Sequence, residues 1–366
     1  MDSRKNESIN GGVDDTKDVL KIVVTDGTTE LALTFLYRIL YDNVFGENQL
    51  VFISIFEFQD KALFLESVEI ELTSFSPNLL QGISYGHDPS VQFKDADVVV
   101  CIGRAREYEF TEDEYWDPFF KDYILTSKYY GEAIENYAKK DARIIVIGST
   151  AATIISRYVK SIPSSHITAL SMFNFNIATA YVRCCFLLYL LFSEKNLSNI
   201  EKLYSLQIAA RAKCLPSEIK NVIIWGTNNR CNFPDCRYMF FTDRRKLNTG
   251  LEVWLKNILP QHTQNINSRP YRVKSMAYGL AEHCRILWNG SPTNEWTCMT
   301  VLSDHSYGIR SDIFFSFPVL CKNRTYEIVQ DLVNDEYIKK YIKAMSKLIA
   351  REVYFALTIC NLKREN

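Results

Sequence analysis

The sequence predicts an α/β chain: a doubly wound parallel sheet in the N-terminal half, followed by a second half of mixed helix and strand. Three observations carry this. The stretch Lys21 to Leu40 (KIVVTDGTTELALTFLYRIL) reads strand, turn, helix: Ile22, Val23 and Val24 form a β-branched run, Thr25 to Thr29 a small polar turn, and Leu31, Leu33, Phe35, Leu36 and Ile39 continue at roughly helical spacing. Further buried runs follow at Leu50 to Phe56, Ala96 to Gly103 and Ala142 to Gly148, with a helical pattern over Ile124 to Lys140, the alternation of a parallel sheet. The chain closes on an amphipathic pattern over Asp335 to Leu362, with Tyr337, Ile338, Ile342, Met345, Leu348, Ile349 and Tyr354 on apolar positions.

Taken in order, residues 1–17 are polar and glycine-bearing and are expected to form a disordered tail. The first strand, turn and helix open a Rossmann-type, NAD(P)-binding arrangement, in which a dinucleotide's pyrophosphate meets a helix N-terminus. Such a turn uses glycines to bend tightly and to let phosphates approach. Here Gly27 stands alone, and Asp26 and Glu30 put negative charge where an anion would sit. Glu57 ends the second run, where an acid accepts hydrogen bonds from ribose hydroxyls and favours NAD over NADP; an ordinary solvated strand-end charge is the competing reading. Gly103 ends the third run, and Ser149 and Thr150 follow the fourth.

The composition excludes some classes of function. A net charge of −1 over 366 residues gives no basis for a nucleic-acid or anionic-membrane partner. Ala178 to Phe192 is strongly apolar, but it is too short to span a membrane and carries Arg183. Ten cysteines without a signal peptide point to a reducing, cytoplasmic setting. Cys231 and Cys236 have no second ligand pair, so no metal is expected.

Several stretches, in order, resemble the lactate/malate dehydrogenase family, specifically its cytosolic animal malate dehydrogenase branch. They are VFGENQ (Val44 to Gln49), NYAKKDARIIVIG (Asn136 to Gly148), PSEIKNVIIWG (Pro216 to Gly226), HCRILWNGSP (His283 to Pro292), SYGI (Ser306 to Ile309) and FSFPV (Phe315 to Val319). The departures are most like those of the divergent type 1B group. The resemblance implies a Rossmann-type NAD-binding domain over 18–162 and an α+β lactate/malate dehydrogenase C-terminal domain over 163–366, a homodimer, and NAD-dependent interconversion of malate and oxaloacetate. In that reaction a histidine held by an aspartate acts as general acid/base, arginines clamp the substrate carboxylates, and a mobile loop closes over them.

Carried over residue by residue, most of the implied machinery is replaced. The histidine position is Asn228, and asparagine exchanges no proton near neutral pH. The aspartate and its companion arginine become Asn174 and Ile177 in one register, or Ile200 and Leu203 in the other. Arg104 and Arg106 stand near the first loop arginine, the second falls near Trp116, and the loop gains Glu107, Glu109, Glu112, Asp113 and Glu114. Ser275 matches a serine near nicotinamide and substrate. On the cofactor side the turn keeps Gly27 alone, Ser149-Thr150 replaces asparagine-proline, and Glu57 retains the ribose acid, so NAD binding is expected to be weakened or lost. The expectation is a family member that is catalytically impaired or inactive; the alternative is an active dehydrogenase on malate or another 2-hydroxy acid, using replacement groups. The apolar stretch around 168–197 exceeds the family pattern. It reads as an extra buried helix, a surface helix that recruits a partner, or intron translated as protein. Beyond it, a helix is expected over Ser275 to Trp288, with His283 structural, and strands over Met299 to Leu302, Phe314 to Val319 and Thr325 to Val329.

Overall fold

In the computed structural model, β1 (Leu20–Thr25) lies between two parallel neighbours, β2 (Val51–Phe56) and β4 (Val98–Cys101). Ile22, Val23 and Val24 are fully buried, as a strand covered on both faces requires. The structure describes residues 19–74, 77–103, 118–171, 219–226, 232–235, 237–243, 273–293, 295–333 and 335–362. Helix α1 (Glu30–Tyr41) starts where the apolar spacing places it, N-capped by Thr29, whose hydroxyl accepts from the Ala32 N–H at 3.2 Å. Its buried face is Ala32, Phe35, Leu36, Ile39 and Leu40.

Between β2 and β4 lie elements that the apolar pattern does not announce: α2 (Leu65–Thr73), β3 (Leu80–Gly86) and the short α3 (Pro89–Gln92). Strand β3 is a half-exposed edge with Gly82 under the Phe52 ring, so it lacks the continuous apolar run of an inner strand. Then come α4 (Pro118–Tyr137), β5 (Arg143–Val146), α5 (Ser149–Tyr158) and β6 (Ile167–Leu170). The six strands are parallel in the order β3-β2-β1-β4-β5-β6, which reverses direction between β1 and β4. Strand β6 lies beyond residue 162, the expected end of the first domain, and takes up residues 168–170 of the apolar stretch; the rest of that stretch from residue 172 lies outside the described residues.

The same sheet continues antiparallel. After the short β7 (Ile219–Lys220), β8 (Ile223–Gly226) is the NVIIWG run and pairs with β9 (Asn232–Asp235); β10 (Phe240–Phe241) pairs with β7 in a separate small sheet. Helix α6 (Val273–Asn289), β11 (Thr297–Leu302), β12 (Phe314–Lys322), β13 (Thr325–Ile328) and α7 (Glu336–Ile359) follow as the sequence predicts. Strand β11 joins β6 to β12, so the two halves share one sheet. Helix α7, N-capped by Asp335, packs back on α5 and α4. Cys101, Cys284, Cys298, Cys321 and Cys360 are buried free thiols in this core. Among the described residues, no helix is long and apolar enough to cross a membrane.

Candidate active site

In a doubly wound sheet, ligands bind outside the carboxyl ends of the strands, at the point where strand order reverses. Here that point is the gap between β1 and β4, and Asp26 spans it. Asp26 adopts φ 55°, a left-handed conformation that aspartate tolerates better than most residues. Its side chain is 1% exposed. Oδ2 accepts from the Thr25 hydroxyl at 2.7 Å, the Gly103 N–H at 2.9 Å and the Tyr130 hydroxyl at 2.8 Å. The Thr25 hydroxyl also accepts from the Ile102 N–H at 3.1 Å, so the ends of β1 and β4 are stitched together. Burial raises the Asp26 carboxyl above its ordinary range, while the bonds from Thr25 and Tyr130 act against that shift.

The amides of the turn are also engaged within the protein. The Gly27 N–H donates to the Phe56 carbonyl at 3.3 Å, and that of Thr29 to the Asp26 carbonyl at 3.0 Å. Thr28 donates to Glu57 Oε2 twice, from its N–H at 3.2 Å and its hydroxyl at 2.6 Å. The other Glu57 oxygen accepts from the Phe58 N–H at 3.0 Å, and the residue is 1% exposed. Gly27 is required here by packing: a Cβ would lie 2.1 Å from Ile55 Cγ2.

The structure therefore gathers Gly27, Glu57 and Gly103 around one turn, with Ser149 at the end of the neighbouring β5. Ser149 is buried as the first residue of α5. Gly148 before it has φ 105°, and a Cβ there would lie 2.3 Å from the Tyr123 hydroxyl. Thr150 donates to Glu352 Oε1 of α7 at 2.5 Å, and burial pushes that carboxyl up to about 7. Sequence reading places Asp26 in the turn but misses its partner Tyr130, and it misses Glu352. Tyr130 sits on an ordinary apolar helix face, and nothing in the sequence marks it. Arg104, Arg106, Asn174, Ile200 and Asn228 lie outside the described residues; Ser275 is in the first turn of α6.

Strands β8 and β9 pair antiparallel, Ile223 opposite Asp235 and Gly226 opposite Asn232. Trp225 is fully buried and donates to Asp235 Oδ2 at 3.1 Å, and Arg237 grips Asp235 through Nε at 2.9 Å and Nη2 at 2.7 Å. His283 is also fully buried; its Nε2 lies 2.8 Å from the Thr168 hydroxyl, and burial lowers it to about 3. It is neutral at physiological pH and lies inside the sheet–helix core, in keeping with the structural role expected of it.

Residues 261–353 match the family model for the lactate/malate dehydrogenase alpha/beta C-terminal domain. That segment covers α6, β11, β12, β13 and most of α7, and it follows the parallel sheet. Over most of its length the chain is similar to, and divergent from, the cytoplasmic malate dehydrogenases. It is 28% identical over 355 residues to that of Taenia solium, covering 93% of this chain and 98% of the relative. To the human enzyme it is 27% identical over 353 residues, covering 91% and 96%. The malate dehydrogenase structure from Naegleria fowleri superposes with a TM-score of 0.78 at 24% identity, covering 93% of this chain and 99% of that one. Trichomonas vaginalis lactate dehydrogenase in complex with NADH and oxamate gives 0.77 at 16% identity, covering 94% and 99%. At these identities the structural matches establish the fold.

Proposed function

We propose that this chain is a malate dehydrogenase homologue that has lost the NAD-dependent interconversion of malate and oxaloacetate and acts by binding. One observation carries the reading: the Glu57 carboxylate, which the sequence offers as a ribose acceptor, instead takes both the N–H and the hydroxyl of Thr28 in the turn before α1, so it spends the turn's donors and faces a phosphate there with negative charge. A dinucleotide pyrophosphate does not fit these residues. A phosphate brought within about 4 Å of that carboxylate meets roughly 4 kcal/mol of repulsion at the effective dielectric of a protein surface. Asp26, bonded to Gly103 and Tyr130, spans the crevice beside it. The replacements at Asn228 and at both registers of the aspartate act in the same direction, and loss of one member of a catalytic unit removes most of its effect. Purified protein is expected to show no oxaloacetate-dependent oxidation of NADH, and Asn228→His alone to restore none. Clear wild-type turnover of malate or another 2-hydroxy acid would instead make the chain an active dehydrogenase using replacement groups.

The reading includes a cytoplasmic location, in line with the names of its relatives, and a homodimer. The surface that supports the dimer is the turn and helix around α2, where Leu63, Phe64 and Ile70 are 70%, 57% and 62% exposed. Three large apolar side chains on one exposed segment suit a self-complementary contact. Sedimentation is expected to give a dimer that Leu63→Lys with Ile70→Lys converts to monomer; a monomeric wild type would contradict it.

A further inference from the structure

The edge of the sheet opposite the nucleotide turn carries a separate cavity of about 640 Å³. It is bounded by the last turn of α5, the segment leading into β6 and the loop between β11 and β12. Helix α5 runs back from the carboxyl end of β5 to the start of β6, and β11 runs antiparallel to β6. The cavity therefore lies at the amino ends of the parallel strands, on the far side from Asp26 and Glu57. Its size falls in the range of small-molecule pockets.

Its walls carry three cations and one histidine. Arg157 and Lys160 come from α5 and its exit, His305 and Arg310 from the loop. The acid in the lining is Asp312, which holds the Arg310 guanidinium through Nε at 2.9 Å and Nη2 at 2.5 Å. Arg310 also borders a second hollow, of about 330 Å³, whose other charged members are Lys347 and Arg351 of α7. Arg310 thus borders both hollows.

The loop that supplies His305 and Arg310 is held in one shape. His305, Tyr307 and Gly308 take φ of 74°, 57° and 72°, two of them side-chain-bearing residues in a conformation that costs energy unless the surroundings impose it. The surroundings do impose it. Asp304 accepts from the Ser306 N–H at 2.9 Å, Gln330 donates to the Ser306 hydroxyl at 2.8 Å, and the Tyr307 ring packs edge-on against Trp225 with centroids 4.9 Å apart. A strained loop fixed by its neighbours, beside several cations on two other elements, is a preorganised arrangement.

We propose that this cavity binds a small phosphorylated molecule of at least two negative charges. The guanidinium edge of Arg310 that Asp312 does not take supplies donors for phosphate oxygens, and Lys160 adds a mobile point charge at the rim. The test is calorimetric titration of the full chain with inorganic pyrophosphate in about 150 mM salt, where non-specific surface attraction is screened. Citrate serves as a carboxylate control. One saturable pyrophosphate site per chain is expected, weakened about tenfold or more by Lys160→Gln with Arg310→Gln, two exposed positions whose loss leaves the core intact. Arg157→Gln, with folding checked by circular dichroism, is expected to weaken it further. Absence of binding, binding unchanged in the double variant, or citrate bound as tightly as pyrophosphate would each overturn the proposal.

Discussion

Asp26 and Glu57 are each buried acids at the end of a strand, and each is stabilised by hydrogen bonds instead of by a cation: Asp26 by Thr25, Gly103 and Tyr130, Glu57 by Thr28 and Phe58. Bonds of this kind to a carboxylate offset part of the desolvation that burial imposes. Glu352 takes a hydrogen bond from Thr150, and burial raises its carboxyl from 4.5 to about 7. The sign follows from that rise. Below pH 4.5 the group is protonated in both folded and unfolded chains and contributes no difference; as pH climbs to about 7 the unfolded chain ionises first, so stability falls, and above that it levels off. Glu352→Gln keeps the acceptor for Thr150 and removes the charge. It is expected to raise the melting temperature at pH 8 by about 2–3 °C and to leave it unchanged at pH 4, by differential scanning calorimetry.

At the scale of elements, the inner strands and long helices are legible because burial on both faces, or along one stripe, leaves an unmistakable apolar pattern. Strand β2 is such a case, and so is α7. Strand β3 is not, because an edge strand half-open to solvent and carrying Gly82 under Phe52 has no such pattern. Strand β6 is four residues long and leads into an apolar stretch that masks its end. The start of α5 depends on Gly148, whose φ of 105° and contact with Tyr123 exclude a side chain. Gly148→Ala is expected to destabilise the fold by about 1–3 kcal/mol from backbone strain, with displacement of Tyr123 added, measured by urea unfolding.

For the whole molecule, one sheet runs from β3 to β9, with a parallel half that holds the crevice between β1 and β4 and an antiparallel half whose β11, β12 and β13 lie in the segment that matches the dehydrogenase C-terminal domain. The positions of the candidate site were legible from the ends of the strands: Gly27, Glu57 and Gly103 closely follow β1, β2 and β4, and Ser149 opens the helix after β5. Their partners were not, because the bonds that close the crevice join residues 77 and 104 positions apart, from Asp26 to Gly103 and Tyr130. Sequence adjacency carries no record of such contacts, and a single aspartate in a turn reads the same whether it faces solvent or a buried hydroxyl. The central claim is that these acids fill the crevice in place of a dinucleotide. Its most direct test is a titration with NADH read by energy transfer from the tryptophans to nicotinamide, on wild type and on Asp26→Gly with Glu57→Gln. The expected result is negligible wild-type binding and an affinity gain of about tenfold or more in the double variant, as removal of two buried carboxylates from an anion site implies. Tight, saturable binding to the wild type, or no gain in a folded double variant, would contradict it.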